Sequence, residues 1–437
     1  MGEDLAMPLL ILTGGAIYNE KPIVVDPGPQ PDPDPSLPAY FRYGTRLSEG
    51  SPSVDVELAM SFLPLGPIRS QYSWTTAVGN TTPNENYNWS RMDTQSSNFY
   101  SRGMKILGVI GRVPSWATSV GAAGNYYPDL YKNYFYNFCR NIAARYKTQV
   151  EAWEVLNEPN LRGWTAAQVG EILIGASAAI KTGNPDAIVI GGGPLRTFYN
   201  TTGSIDRNGW GTFFDNPQVR AAMDAASFHQ YQRPYTCDGG DHPNGNLDVI
   251  FQNNQDFAAQ HNFTKPMWIT EAGWPTSTEG ISGEVPEDVQ ARELVKYGVI
   301  CALFPKISRW HQFQVKGYVT PGIEEGGMGL TRPDGSKKPS WYTLSTLFSI
   351  FDEDLLQAQR ITQPSNDTWV IKYWRKNRRQ GFVYWVATGA NKVIQLTGVP
   401  SQVRLVSPLG VQSIVSTSDY KINITATRDP QFIELWW

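Results

Sequence analysis

Cysteine is scarce in this chain: Cys139, Cys237 and Cys301 are the only three in 437 residues. An odd count excludes a fully paired disulfide framework, and the scattered positions offer no zinc-type spacing, so three buried thiols are expected. Charge is also in short supply. Only 18% of residues are Asp, Glu, Lys or Arg, and the formal net charge is −3. Without a basic excess the chain is not expected to partner nucleic acid or an anionic membrane surface. No apolar run approaches the roughly 18 residues that a membrane span needs. The apolar stretch from Met7 to Thr13 is short and follows Glu3 and Asp4 rather than a basic segment, which makes it a poor secretion signal. No repeat at solenoid or propeller period is evident. Nor does a Gly-rich phosphate turn follow the first strand, because Gly191-Gly-Gly193 comes after the fifth and lacks the dinucleotide spacing.

Aromatic residues, by contrast, are abundant: 15 Trp, 21 Tyr and 18 Phe. With 41% hydrophobic residues the chain can bury a large core, and flat rings serve both as core and as ligand platforms. The segment from Pro27 to Pro38 is a stiff proline-rich spacer, which marks residues 1–38 as an N-terminal arm and linker. After it, eight short apolar runs alternate with helical patterns. These runs are Tyr40–Leu47, Pro67–Trp74, Met104–Gly111, Val150–Leu156, Ala187–Gly191, Ala226–Tyr231, Pro266–Thr270 and Ile307–Val315. Such alternation predicts an α/β fold, a (β/α)8 TIM barrel over residues 39–352. From residue 353 the pattern changes to short strands with turn residues between them, predicting a C-terminal β-sandwich over 353–437, completed by strands from residues 8–26.

A (β/α)8 barrel builds its site where the strands end. The fourth strand ends in Asn157-Glu158-Pro159 and the seventh in Thr270-Glu271, 113 residues or three βα units apart. Two carboxylates facing each other across a barrel mouth are what glycosidic bond cleavage requires, one to protonate the leaving oxygen and one to attack the anomeric carbon. The alternative, that each glutamate caps a following helix, does not explain the placement of both at strand ends. Further polar groups fall on neighbouring strand ends: Arg69 in Ile68-Arg-Ser70, and His229 and Tyr231 in His229-Gln-Tyr231. Trp116 in Pro114-Ser-Trp116, Trp274 and Trp310 are aromatic candidates for sugar stacking.

In these motifs and their order, residues 40–345 resemble glycoside hydrolase clan A, the retaining glycosidases, most closely family 39 and next family 5. The resemblance implies Glu158 as acid/base and Glu271 as nucleophile, acting by double displacement on β-glycosidic bonds. It implies Arg69, Trp116, Asn157, His229, Tyr231, Trp274 and Trp310 as substrate-binding or supporting residues, and no metal or organic cofactor. Arg69 is expected to keep Glu271 ionised, Tyr231 to orient it, and Asn157 to hydrogen-bond the sugar 2-hydroxyl. Trp310 is expected to be the leading platform, since the clan commonly carries an aromatic near the end of its eighth strand. Strict alternation would put Asn157 and Glu158 on opposite faces, so an irregularity is expected there. The partner is expected to be a polysaccharide or oligosaccharide cleaved internally, which implies action outside the producing cell. Alternatives are an exo-acting β-xylosidase-like enzyme, or a non-catalytic carbohydrate-binding or structural protein with an inactive barrel. The presence of both glutamates with Arg69, Asn157 and Tyr231 weighs against the inactive barrel.

Overall fold

The computed structural model describes residues 23–25, 42–46, 67–195, 210–239, 245–276, 283–318, 324–352, 354–362, 367–376 and 379–435. Strand β1 (Ile23–Val25) is the only described part of residues 1–38. Strands β2 (Arg42–Arg46), β3 (Ile68–Ser73), β4 (Ile106–Gly111), β5 (Ala152–Val155), β6 (Ile188–Leu195), β7 (Ala225–His229), β8 (Met267–Ala272) and β9 (Ile307–Gln312) form a closed barrel. All neighbours are parallel, and β9 pairs back onto β2 through Trp310 opposite Tyr43. β4 reads ILGVIG, a continuous apolar run buried throughout, as a parallel strand covered on both faces allows, whereas β2 (RYGTR), β3 (IRSQYS) and β9 (ISRWHQ) mix in polar residues.

Helices α1 (Trp74–Val78) and α2 (Ser90–Tyr100) follow β3, α3 (Lys132–Arg145) follows β4 and α4 (Ala166–Gly183) follows β5. After β6 come α5 (Trp210–Asp215) and α6 (Pro217–Ala222); α7 (Leu247–Gln260), α8 (Glu287–Cys301) and α9 (Pro339–Ile350) follow the last three barrel strands. Local chemistry sets the ends of α4. Thr165 accepts from the Gln168 amide while the Gln168 side chain accepts from the Thr165 amide, and Asn184-Pro185 stops the helix. Side chains alternate between the lumen and the helix layer. Leu107, Ala152, Ile190, Ala225 and Trp268 plug the lower lumen, whereas Trp153 and Trp310 point outward into the main core. Cys139, Cys237 and Cys301 are buried and unpaired. No described helix is long and apolar enough to cross a membrane.

Eight further strands follow: β10 (Leu355–Arg360), β11 (Thr368–Arg375), β12 (Gln380–Val386), β13 (Lys392–Thr397), β14 (Gln402–Val406), β15 (Gln412–Ser416), β16 (Lys421–Ala426) and β17 (Gln431–Leu435). Six of them form one sheet in the order β10-β11-β12-β17-β14-β15, and β1-β13-β16 form the other. Val370, Phe382, Ile394, Leu396, Ile424 and Ile433 pack between the sheets. β10 and β15 are the least legible of these strands in the sequence. Both are edge strands with polar or exposed faces, which blunts the alternation by which a strand is recognised.

The sandwich tryptophans Trp369, Trp374 and Trp385 are buried, not arrayed on a surface. Trp385 donates its indole N–H to Asp238, which follows β7 and pairs with Lys296 of α8 at 3.1 Å. Arg360 of β10 lies 3.5 Å over the Trp369 ring and pairs with Asp248 of α7. These rings therefore brace the sandwich against the barrel. Trp436 and Trp437 lie outside the described residues.

Candidate active site

The upper end of the lumen concentrates polar side chains. Glu158 has a left-handed backbone (φ 46°, ψ 52°), and Leu156 before it also has positive φ (75°). Such conformations cost a non-glycine residue of order 1–3 kcal/mol, and here they break the strand alternation. Gly193 of β6 supports the kink: its carbonyl accepts the Glu158 amide at 2.9 Å, and its own φ of +51° places it in glycine's region. As a result Asn157 and Glu158 both face the mouth, which supplies the irregularity expected from the sequence. On β8 a register shift between Ile269 and Ala272 does the same for Thr270 and Glu271.

Glu158 and Glu271 come together here. One oxygen of each, with one ring nitrogen of His229, lies within 4.8 Å of the others. Arg69 organises the floor. Its Nε meets Glu154 at 2.7 Å, its Nη1 meets Glu271, and its Nη2 donates to Asn157 Oδ1 at 2.7 Å. Tyr231 donates its hydroxyl to Glu271 Oε2 at 2.9 Å. Burial works against the charge of Glu271, but His229, Arg69 and Arg46 outweigh it and hold the carboxyl at about 2. Burial and the Glu271 charge in turn push the Tyr231 phenol well above its ordinary range, so that it stays a donor. The Glu158 side chain is 18% exposed against 7% for Glu271, so it is the carboxyl open to water. A metal ion between the two glutamates and His229 would have to sit against the Arg69 guanidinium that already balances Glu271.

His229 is fully buried, with Nδ1 2.8 Å from Glu158 and Nε2 3.0 Å from Thr270 Oγ1. Two residues of the constellation have no role in the sequence motifs. Arg46, ending β2, stacks over Phe313 at 4.4 Å. Thr270 hydrogen-bonds Glu154 at 2.7 Å. The inward period of β9 would have pointed to Phe313; Glu154, inside β5, is legible in the sequence as a support for Glu158 from below, and it lies against Arg69 and Thr270.

Two of the three expected tryptophan platforms, Trp310 and Trp274, require correction. Trp310 is fully buried on the outer face of β9, between Tyr43 and Tyr297. Its neighbours Arg309 and His311 take the lumen: Arg309 lies over Trp268 and the His311 ring fills the space beside Gly44. Strand period 2 thus turns Trp310 away from the mouth. Trp274 is also fully buried and spends its indole N–H on the Tyr235 carbonyl, tying the loops after β7 and β8. Neither ring has a face to offer a sugar. Trp116 is half-buried in an edge-on cluster with Trp74, Tyr131 and Tyr134, and donates to the Gly79 carbonyl.

Comparison with known proteins agrees with this architecture. The family described as cellulase (glycosyl hydrolase family 5) matches residues 66–303, more than half of the chain. Among solved structures, a family 39 glycoside hydrolase from Bacteroides cellulosilyticus WH2 superposes with a TM-score of 0.72 at 18% identity, covering 92% of this chain and 83% of that one. A family 39 β-xylosidase from Caulobacter crescentus gives 0.64 at 15% identity over 95% and 100%. A family 30 subfamily 8 xylanase from Clostridium acetobutylicum gives 0.58 at 13% over 94% and 98%. At such identities these likenesses speak for the fold. No curated protein sequence matches the chain. The barrel with its sandwich is a glycoside hydrolase fold of clan A, its substrate is a carbohydrate, and the chain belongs to the cellulase family, glycosyl hydrolase family 5.

Proposed function

We propose that this glycoside hydrolase cleaves β-glycosidic bonds of a polysaccharide with retention of anomeric configuration, cutting within the chain. The observation that carries the reading is the approach of Glu158 and Glu271 to within 4.8 Å through their nearest oxygens. Retaining enzymes hold their carboxyls about 5–5.5 Å apart, whereas inverting enzymes need about 6.5–9.5 Å for a water between them.

In this mechanism Glu271, ionised and oriented by Arg69 and Tyr231, attacks the anomeric carbon while Glu158 gives its proton to the departing oxygen. A covalent glycosyl ester forms on Glu271. Glu158, now a carboxylate, takes a proton from water as the water oxygen bonds to the same carbon, and Glu271 leaves as carboxylate. Asn157 spends Oδ1 on Arg69, which leaves its amide N–H groups to donate to the sugar 2-hydroxyl.

The test is hydrolysis over a panel of β-glucans, mannans, xylans and galactans, comparing wild type with Glu271→Ala. Activity in the wild type alone supports the reading, and no difference on any substrate refutes it. Proton NMR of the first-formed product should show the β-anomer; an α-anomer rules out Glu271 as nucleophile. Short and intermediate oligosaccharides released together indicate internal cleavage. Release of single sugars from one end would favour the exo reading, which the likeness to a β-xylosidase supports.

A further inference from the structure

Fully buried, His229 must satisfy both ring nitrogens within the protein. Its Nε2 faces Thr270 Oγ1 at 3.0 Å, and Thr270 Oγ1 faces Glu154 Oε1 at 2.7 Å. The other oxygen of Glu154 accepts from Arg69 Nε at 2.7 Å, with both groups all but fully buried. A carboxylate paired with a guanidinium only accepts, and a hydroxyl has one proton to give. The Thr270 proton therefore goes to Glu154, and its oxygen lone pair is turned to His229. Nε2 must then carry a hydrogen.

We propose that Thr270 and Glu154 are positioning residues that lock the proton of His229 on Nε2, so that a single transferable proton is shared between His229 Nδ1 and Glu158. With Nε2 protonated, only two arrangements satisfy the 2.8 Å contact between Nδ1 and Glu158 Oε1. Either Glu158 is protonated and donates to a neutral ring, or the ring is an imidazolium and donates to the Glu158 carboxylate. A neutral ring with its hydrogen on Nδ1 would stabilise a proton-free Glu158, and that tautomer would set the Nε2 lone pair against the Thr270 oxygen. Fixing the tautomer thus denies the proton-free pair its stabilising hydrogen bond and favours the forms that keep the acid. After the leaving group departs with the proton, the Nδ1 lone pair faces the Glu158 carboxylate directly, which favours recapture of a proton from the attacking water.

The charges around the ring agree with this assignment. Glu271 on β8 lies 3.7 Å from Nδ1, and Glu154 on β5 lies 4.0 Å from Nε2. Arg69 on β3 opposes them, and Tyr231, two residues along the chain, bonds Glu271. Burial alone would push the His229 pKa down, but Glu271 and Glu158 outweigh it and raise it.

This inference rests on Glu158 acting as the acid/base. Its test compares Thr270→Val, which removes only the hydroxyl, with Thr270→Ser, which keeps it, on aryl β-glycosides of the sugar that wild type cleaves best. For Thr270→Val the alkaline limb of the kcat/KM profile should move toward acid by about half a unit or more. Poor leaving groups should lose on the order of tenfold or more in rate, within the range that general acid catalysis supplies, and dinitrophenyl glycosides little. Thr270→Ser should restore the wild-type limb. A loss uniform across pH and leaving groups, or a failure of serine to rescue, overturns the proposal. Nitrogen-15 NMR of the wild type tests it without any variant: His229 must show hydrogen on Nε2, and an Nδ1–H neutral ring overturns it. If Glu158→Gln leaves cleavage of poor leaving groups intact, the acid/base reading itself fails, whatever the His229 tautomer.

Discussion

Arg69 of β3 meets the Glu271 carboxylate of β8 across 202 residues of chain, inside a lumen where neither side chain is more than 7% exposed. Burial alone would favour the neutral acid, so this contact is part of what keeps the proposed nucleophile charged. Replacing the cation by a neutral side chain of similar length, Arg69→Met, should raise the acid limb of the kcat/KM profile. It should also cost on the order of 10²-fold or more in rate, as removal of a preorganised electrostatic partner does. An acid limb that stays in place would show that Arg69 does not set the Glu271 charge.

The same shift has a consequence for stability. Glu271 ordinarily titrates near 4.5 and is held at about 2 in the fold. A depressed carboxyl contributes stability in full above its unfolded value and loses it as pH falls toward the folded one. The contribution at neutral pH is on the order of 3 kcal/mol. Urea unfolding of wild type and Glu271→Gln should therefore give a difference that narrows between pH 7 and pH 3. A difference independent of pH would contradict it.

Trp310 separates packing from sugar stacking. With its ring between Tyr43 and Tyr297, Trp310→Ala should destabilise by about 3–5 kcal/mol in denaturant unfolding. Trp310→Phe should leave KM for the best substrate unchanged. A large rise in KM with unchanged stability would restore the ring to the binding site.

Lys296 is the buried cation shared by Asp238 and Glu293, with Trp385 of the sandwich bonded to the same Asp238. Lys296→Met leaves the buried Asp238 without its cation, while Glu293 keeps Arg292 at 3.2 Å, and breaking such a buried pair costs about 3–5 kcal/mol. Calorimetry should show a lowered transition, and tryptophan fluorescence should report Trp385 loosening with it. An unchanged transition would mean that the network does not couple sandwich to barrel.

The barrel was legible because eight short strand-like runs alternate with helical patterns, and the runs match the observed strands to within a few residues. The two glutamates were legible because strand ends are where such a fold displays chemistry. Trp310 was misplaced because the clan's aromatic near the end of the eighth strand was carried over without regard to strand face. Trp310 lies three residues before Phe313, the ring beneath Arg46 and beside Tyr231, but on the opposite face. Alternation from His311 inward and Trp310 outward was available and would have separated them.

The amino-acid sequence by itself determined the alternating architecture, the β-rich C-terminal region and the pair of carboxyl side chains at two strand ends, because these follow from local periodicity and residue type. Only the tertiary structure decided which neighbours those carboxyls have. The left-handed turn at Glu158 and the register shift before Glu271 rotate side chains into the lumen, and no local pattern encodes such a rotation. The chain Arg69–Glu154–Thr270–His229–Glu158 joins four strands through single hydrogen bonds. Its proton order exists only because closure of the barrel excludes water and obliges each buried group to find its partner in the next.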